Sequence, residues 1–516
     1  MDAIELTIFS SRIEAVCDEM GAVLRRSAFS PNIRDRLDYS CAIFDAAGEL
    51  SAQAAHIPVH LGSMAFAMRE IVSRMEWHAG DLVIVNDPFM GGTHLPDVTM
   101  ISPLLVEEQL LGFVVNRAHH ADIGAKSPGS MPISSSLEEE GVVIPPTYLL
   151  KAGEIQKDFY QQLLSQLRNP ELSQGDFEAQ ISANRAGVQR LQQWIAEQGV
   201  EGYQEGLEAL NRYAEQLAAE SLRAIPEGCY RFEDVMDDDG QGNHSLPIQV
   251  SIVVEQGRVM VDFSGTAAQT AGNINCPLSV AAAAVYYVFR ALMPAQTPAA
   301  AGSFRAISIQ ATKGSLLHAR RPAAVAAGNV ETSSRIVDVV MGALAQAIPQ
   351  QMAAASQGSM NNLAMGGRVG GHHWDYYETI GGGMGASQRG FGLSAVQTHM
   401  TNTLNTPIEV LEMSAPLRVT EYSLRRGSGG KGEHCGGDGV VRGFHFLQES
   451  SVTLLTERRL HRPWGGSGGE AGLSGENWLD NLRLSSKCTV QVKAGQQLTI
   501  NTPGGGGFGT ATLKKN

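Results

Sequence analysis

Cysteine is sparse in this chain. The six residues (Cys17, Cys41, Cys229, Cys276, Cys435 and Cys488) are scattered with no C-x-x-C pair, which argues against a disulfide framework and against a thiolate metal site. Basic charge is also short. With 39 Lys and Arg against 53 Asp and Glu, the formal net charge is -14, which opposes phosphate backbones and anionic membrane surfaces, so neither nucleic acid nor membrane is an expected partner. Long apolar runs are missing as well. Asp2, Glu5, Arg12, Glu14, Asp18 and Glu19 interrupt the first twenty residues, so no signal peptide is expected there, nor a transmembrane segment elsewhere. A reducing cytoplasm suits this composition. The phosphate-binding string G-x-x-x-x-G-K-[ST] is absent, so the chain has no P-loop of its own.

What is abundant is glycine, 57 residues, much of it beyond residue 365 in runs such as IGGGMGA, RGSGGKGEHCGGDG, PWGGSGGEAG and TPGGGGFG. Apolar strand-like segments separate these runs, so tight turns in a β-rich region are expected in preference to substrate-facing loops. At 516 residues the chain can bury a large core, in two or three subdomains.

Chemistry concentrates in NDPFMGGTHLPDVTM, Asn86 to Met100, and in VNRAHHADIG about twenty residues later. Together they supply His94, Asp97, His119 and His120. Pro96 keeps Leu95 out of the helical region, so His94 and Asp97 should share a turn and not a helix. Two histidines and a carboxylate from a turn and a strand end would leave positions open for water or substrate. A divalent ion there can lower the pKa of water from about 15.7 to about 7. The same residues also suit turn caps or a polar core. His56 and His60 in HIPVHLGSM read as hydrogen-bonded structural histidines.

The spacing of Leu6, Phe9, Ile13, Val16, Met20 and Val23 predicts an opening amphipathic helix, and SCAIFDAAGELSAQ predicts a hairpin turning at Asp45 to Gly48. Residues 163–222 read as a helical arm or hairpin whose stripe is core or a subunit dock. Residues 248–263 form a second hairpin turning at Gln256-Gly257. Buried helices are expected over Ala281 to Leu292 and Ile336 to Ala347, with Asn329, Glu331 and Thr332 ahead of the latter as an N-cap or an anion site. The donor-rich stretch His399 to Glu412 is a turn network or a substrate cradle. The fold class expected is α+β, with mixed sheets, packed helices, a protruding helical arm and glycine-rich loops. Its regions are 1–155 around the metal motif, 156–226 as the arm, 227–350 with hairpin and helices, and 351–516 rich in glycine and strand.

In order along the chain, SCAIFDAAGEL, HIPVHLGSM, NDPFMGGTHLPDVTM, NRAHHADIGA, EEEGVVIPP, DFEAQISANRAGVQRL, THMTNTLNTPIEVLE and TPGGGGFG resemble the hydantoinase B family. That family includes the matching half of ATP-dependent 5-oxoprolinases and the large subunits of acetone and acetophenone carboxylases. The resemblance implies one divalent metal ion (zinc, manganese or iron) on His94, Asp97 and either His119 or His120, with His119 preferred. It also lets His120 act beside the ligands and Asp122 orient a histidine; catalytic roles are expected for His120, Asp122 and Glu140, and substrate contacts for Asn329, Glu331, His399 and Asn402. Members work with an actin-like, ATP-binding hydantoinase A-type subunit in a hetero-oligomer. The partner phosphorylates an amide or enol oxygen, and a chain of this kind completes the reaction. The reading that follows is a cyclic-amide hydrolase acting on hydantoin, 5-oxoproline or a related lactam. The alternatives are a ketone carboxylase subunit and a non-catalytic scaffold. Two departures stand out: Phe391 to Ser394 where acidic residues are expected, and Cys276, a buried thiol before it is a nucleophile.

Overall fold

The structure, a computed structural model, describes residues 1–54 and 57–511; His56 lies outside them. The opening stripe is helix α1 (Ala3–Ser27), capped by Asp2, whose carboxylate accepts from Ile4 N and Glu5 N while Glu5 returns the bond. A short α2 (Pro31–Arg34) leads into the first sheet. Its strands are β1 (Tyr39–Asp45), β2 (Leu50–Ala54), β3 (Leu82–Val85), β4 (Asp97–Val106), β5 (Gln109–His119), β6 (Thr147–Lys151) and β7 (Glu154–Ile155), in the order β2-β1-β5-β4-β3-β6-β7 with every pair antiparallel.

Alternation sorts the sheet's side chains between two layers. Cys41, Ile43 and Val114 join α1 on one face, whereas Ala42, Phe44, Phe113 and Val115 meet Met64, Met68 and Ile71 of α3 (Pro58–Arg74) on the other. The helical segment divides into α4 (Lys157–Ser165), α5 (Pro170–Gln198) and α6 (Val200–Arg223). This pair was expected to protrude, but it lies against the sheet and α1: Phe177, Ile181, Leu191, Ile195, Leu207 and Leu210 are all buried. The stripe is core because it covers the α1 face, and no free arm remains.

The second sheet, β8 (Gly228–Asp238), β9 (His244–Glu255), β10 (Arg258–Asp262) and β11 (Ile307–Gln310), runs β11-β10-β9-β8. Its β9-β10 turn is at Gln256 and Gly257, both at positive φ (51° and 73°), as a tight hairpin needs. Helices α7 (Leu278–Leu292) and α8 (Ser333–Leu344) complete its core. The β10-β11 pair is parallel, the one such pairing among the described strands, so the sheets are more uniformly antiparallel than expected while the class is α+β.

Beyond residue 350, strands β12 (Asn362–Val369), β13 (His372–Glu378), β14 (Leu417–Arg425), β15 (Gly439–Phe446), β16 (Ser450–Leu455), β17 (Glu476–Leu479), β18 (Leu482–Leu484), β19 (Lys487–Val492) and β20 (Gln497–Asn501) form two sheets, with α9 (Ile408–Ser414) between β13 and β14. The two sheets share one core around Leu363, Leu454, Phe444 and Ile500.

The glycine runs here are mostly not turns. Segments 354–357, 382–386, 392–396, 428–438, 463–473 and 502–509 lie backbone to backbone, bonded for example by Gly437 N to Met384 O, Gly505 N to Gly437 O, Gly430 N to Gly505 O, Gly507 N to Glu470 O and Ala386 N to Gly506 O. A methyl group at Gly383, Gly385, Gly437 or Gly505 would overlap backbone atoms of a neighbouring segment. Close approach, which sequence does not distinguish from a turn, is what these glycines permit.

Candidate metal centre

Asp97 opens β4 and His119 closes β5, and the register pairs them directly. Side chains at paired positions share a face, so both point toward the layer that holds α3. His94 sits on the preceding turn, where Asp97 N donates to His94 O at 3.1 Å. One ligand atom from each of His94, Asp97 and His119 lies within 4.8 Å of the others, and all three residues are buried. His94 Nε2, Asp97 Oδ1 and His119 Nε2 are solvent-inaccessible and make no hydrogen bond of good geometry, His94 Nε2 lying 3.3 Å from Asp97 Oδ2 as an ion-pair contact within the ligand set. Such atoms are rare in a folded interior unless something binds them. A divalent cation suits this donor set.

The remaining atoms of these side chains are held. Asp97 Oδ2 accepts from Thr93 Oγ1 at 2.5 Å and from Asn329 Nδ2 at 3.3 Å, and His60 Nε2 lies 3.5 Å away. His94 Nδ1 is 3.3 Å from Ala326 O, which leaves Nε2 as its free lone pair. Asn32 Nδ2 lies 3.1 Å from His119 Nδ1. A metal on Nε2 needs Nδ1 protonated, so the Asn32 amide then presents Oδ1, a half-turn that exchanges two atoms of equal size.

Burial disfavours charge on all three. For His94 the neighbouring Asp97 carboxylate more than offsets burial, and its pKa lies above the ordinary value. For Asp97 the His94 and His60 rings outweigh burial and hold the carboxyl well below the usual range. For His119 burial and then the His94 ring push its pKa well down, so it stands neutral, the form that ligates.

His120 turns the other way, as alternation demands. Its Nε2 meets Gln180 Oε1 at 2.8 Å and its ring lies 4.4 Å from that of Phe177, both on α5. Asp122 orients no histidine. Its carboxylate accepts from Gly124 N, Arg168 N and Asn169 N and so fixes the entry to α5; the histidine partners are the Ala326 carbonyl and the Asn32 amide instead. Glu140 accepts from Ser134 Oγ, Val325 N and Ala326 N at 2.7–3.1 Å, and burial pushes its carboxyl up to about 7. It therefore anchors the backbone that presents the Ala326 carbonyl to His94.

Asn329 joins the centre and keeps a buried, unpartnered Oδ1. It lies in a π-helical turn, Gly328–Thr332, that runs directly into α8, so residues 329–332 form a widened helical turn and not an N-cap. Glu331, in the same turn, points to Met360 N and Asn362 Nδ2. His399 is partly buried beside Tyr287 and Asp338, and Asn402 is exposed. The loop around them is a turn network in which Thr379, Thr403 and Asn405 bond to one another's neighbourhood. Cys276 is a core thiol whose pKa burial raises, and Phe391 lies exposed against His434.

Several contributors escaped the sequence reading. Arg36, fully buried, donates to Tyr377 O at 3.1 Å and lies 4.8 Å over the Tyr377 ring, which itself stacks on His119 at 4.9 Å and 3°. Asp38 is buried beside them, its pKa raised by burial against the pull of Arg36. The cluster of Asn32, Arg36 and Asp38 just before a hairpin was the available signal.

Residues 2–511 match the family described as Hydantoinase B/oxoprolinase. Over 99% of this chain, a protein of Methanocaldococcus jannaschii is 39% identical and is covered over 91% of its own length. At 38% identity, 5-oxoprolinase 1 of Arabidopsis thaliana is matched over 99% of this chain and only 42% of its own. The putative B-type component of a D-/L-hydantoinase from a Pseudomonas species is 31% identical over 99% of this chain and 90% of its own. Among solved structures, the ATP-dependent caprolactamase from Pseudomonas jessenii superposes with a TM-score of 0.93 at 26% identity, covering 99% of this chain and 91% of the other. An acetone carboxylase shares the fold, with a TM-score of 0.89 at 17% identity over 98% of this chain and 76% of the other. With one family matched from residue 2 to 511, the chain belongs to the Hydantoinase B/oxoprolinase family.

Proposed function

We propose that this chain is the metal-bearing catalytic subunit of an ATP-dependent cyclic-amide hydrolase. Its substrate is a hydantoin, 5-oxoproline or related lactam, phosphorylated by an actin-like ATPase partner of the hydantoinase A type in a hetero-oligomer. The observation that carries this is the convergence of three buried, unpartnered ligand atoms on one register position of β4 and β5. That its relatives include a 5-oxoprolinase, a hydantoinase component and a caprolactamase supports the substrate class. Six free thiols accord with a reducing cytoplasm. Among the described residues no helix is long and apolar enough to cross a membrane.

His94, Asp97 and His119 would hold the ion, with zinc, manganese and iron all suited to the donors. When bound, a divalent ion supplies Lewis acidity, polarising an oxygen and making water acidic near neutral pH. The chain's own residues do the rest. Thr93, His60 and Asn329 fix the Asp97 carboxylate, the Glu140-anchored Ala326 carbonyl keeps the His94 proton on Nδ1, and the Arg36–Tyr377–His119 stack shuts water out behind the ligands. Asn329 Oδ1, buried and without a partner, would accept the N–H that forms on the ring nitrogen once water has added to the ring carbon. For a lactam activated as its O-phosphoryl imidate, addition of water at the ring carbon and rupture of the C–N bond, with the ring nitrogen taking up protons, opens the ring to an amine and an acyl phosphate. A second water then splits the acyl phosphate into carboxylate and inorganic phosphate.

The test is ATP-dependent phosphate release by this chain with its ATPase partner on hydantoin, 5-oxoproline and lactams, then on ketones with and without bicarbonate. Turnover of a cyclic amide without bicarbonate is the expected result. Turnover confined to ketone plus bicarbonate would replace the hydrolase with a carboxylase, and full turnover by Asp97→Ala would leave only a scaffold.

A further inference from the structure

A cavity of about 540 Å³ opens at the surface, lined in part by Gly91, three residues along the chain from His94. Its apolar floor includes Phe66, Phe89 and Leu278, and one wall carries Lys313, His318, Arg320 and Arg321. Glu70 is the one carboxylate in the lining, and it is engaged by Arg74. With Arg321 paired to Asp87 and Glu70 to Arg74, Lys313 and Arg320 remain as two uncompensated cations at one cavity of a chain whose formal charge is -14. Lys313 and Arg320 are exposed and have no carboxylate partner among the described residues. Arg321 is held over the Phe89 ring at 5.3 Å and pairs with buried Asp87, which aims its guanidinium along the wall.

Two chain segments connect this cavity to the ligand triad. In the first, Asp87 pairs with Arg321, Phe89 and Gly91 line the cavity, and the chain then reaches His94 and Asp97. Arg117 donates to Gly91 O at 3.1 Å and Ser279 to Gly92 O at 3.0 Å, so this segment is tied down between its two ends. In the second, His318, Arg320 and Arg321 line the cavity, Glu140 holds Val325 and Ala326, and Asn329 reaches Asp97. Cavity and triad are thus opposite ends of the same two walls.

We infer that this cavity binds a phosphate dianion through Lys313, Arg320 and Arg321. Guanidinium forks and an ammonium are the donors that match its oxygens. The dianion is either inorganic phosphate leaving after turnover or the phosphoryl group of an activated substrate on its way in. That link to turnover rests on the reading above; binding itself does not.

The test is titration of the full chain with inorganic phosphate and, separately, with phenyl phosphate, followed by calorimetry and ³¹P line broadening. Lys313→Glu with Arg320→Glu reverses two exposed charges outside the metal centre. This double variant is expected to weaken binding of both probes by about tenfold or more, with the thermal melting point kept. The probe that binds tighter identifies the source, phosphate pointing to product and the monoester to substrate. Equal affinity in the variant, or no binding of either probe by the parent chain, overturns the inference. So does a variant that loses only its association with the ATPase partner, which would make the patch a protein-docking surface. Because no turnover is needed, a failure here is separate from a failure of the hydrolase assay.

Discussion

Two buried polar clusters in this molecule are built on opposite principles. At the candidate metal centre, three ligand atoms are left without partners while the atoms behind them are fixed. In the layer joining β8, α8 and the loop after β16, charges close on one another. Arg458 donates to Asp234 at 2.7 Å and Asp338 at 2.6 Å, Lys487 to Glu457 at 2.5 Å, Arg335 to Glu457 at 3.2 Å, and Asp237 accepts the backbone N–H groups of Arg459, Leu460 and His461. Both clusters are largely buried and rich in ionisable groups, so burial and charge alone do not separate function from scaffolding. The direction of the unsatisfied atoms does: in one they converge on a point, in the other most bonds are made.

The comparison is broken most sharply by Asp97→Ala. Metal content of the purified chain, read by mass spectrometry, should fall to near zero. Turnover with the ATPase partner should fall about a thousandfold or more, since several kcal/mol of Lewis-acid stabilisation is lost. Arg458→Ala does the reverse. It leaves Asp234 and Asp338 buried without their cation and should cost about 3–5 kcal/mol in denaturant unfolding, with metal bound per folded chain unchanged. Arg458→Ala losing metal while keeping its stability would erase the distinction.

Smaller effects sharpen it. Asn32→Leu removes the partner of His119 Nδ1 and should weaken metal affinity by about 10–100-fold in a competition with a chelating dye, while the ligand set stays complete. Glu331→Gln tests the edge of the charge layer. Burial and then the Glu457 carboxylate push Glu331 up to about 8, so the folded state keeps a proton that the unfolded chain releases near the ordinary glutamate value. Its contribution is fully present below that value and is lost as pH rises to about 8, with a slope of at most about 1.4 kcal/mol per pH unit. In urea unfolding at pH 5 to 8 the glutamine variant should lack that slope and gain most over the parent at the alkaline end. Parallel stability curves would show that Glu331 is ionised throughout.

The metal motif was legible because His94, Asp97 and His119 belong to one hairpin and its leading turn, so sequence proximity and spatial proximity coincide. Periodicity likewise located α1, α7 and the two hairpins. What surrounds the motif was not legible. Tyr377 comes from β13 and Arg36 with Asp38 from an irregular stretch, and no spacing rule connects them, while Asn329 was singled out but the π-helical turn that carries it was not. Asp122 looked like a histidine partner because it is two residues from His120, yet the chain turns there and its carboxylate finds the backbone amides of 168 and 169. The arm was read as protruding because an amphipathic stripe does not say what covers it.

The glycine lattice has a consequence for how this protein can be handled and can diverge. Six segments spread over residues 354–508 cross one another through backbone alone, so a cut or insertion in any of them removes a neighbour from several others. The β12-β13 hairpin tip at Gly370-Gly371, by contrast, has open space on every side and offers a place for a label or a graft. The C-terminal third is therefore best kept whole in any truncation or chimaera, since each segment is walled by the backbone of the others.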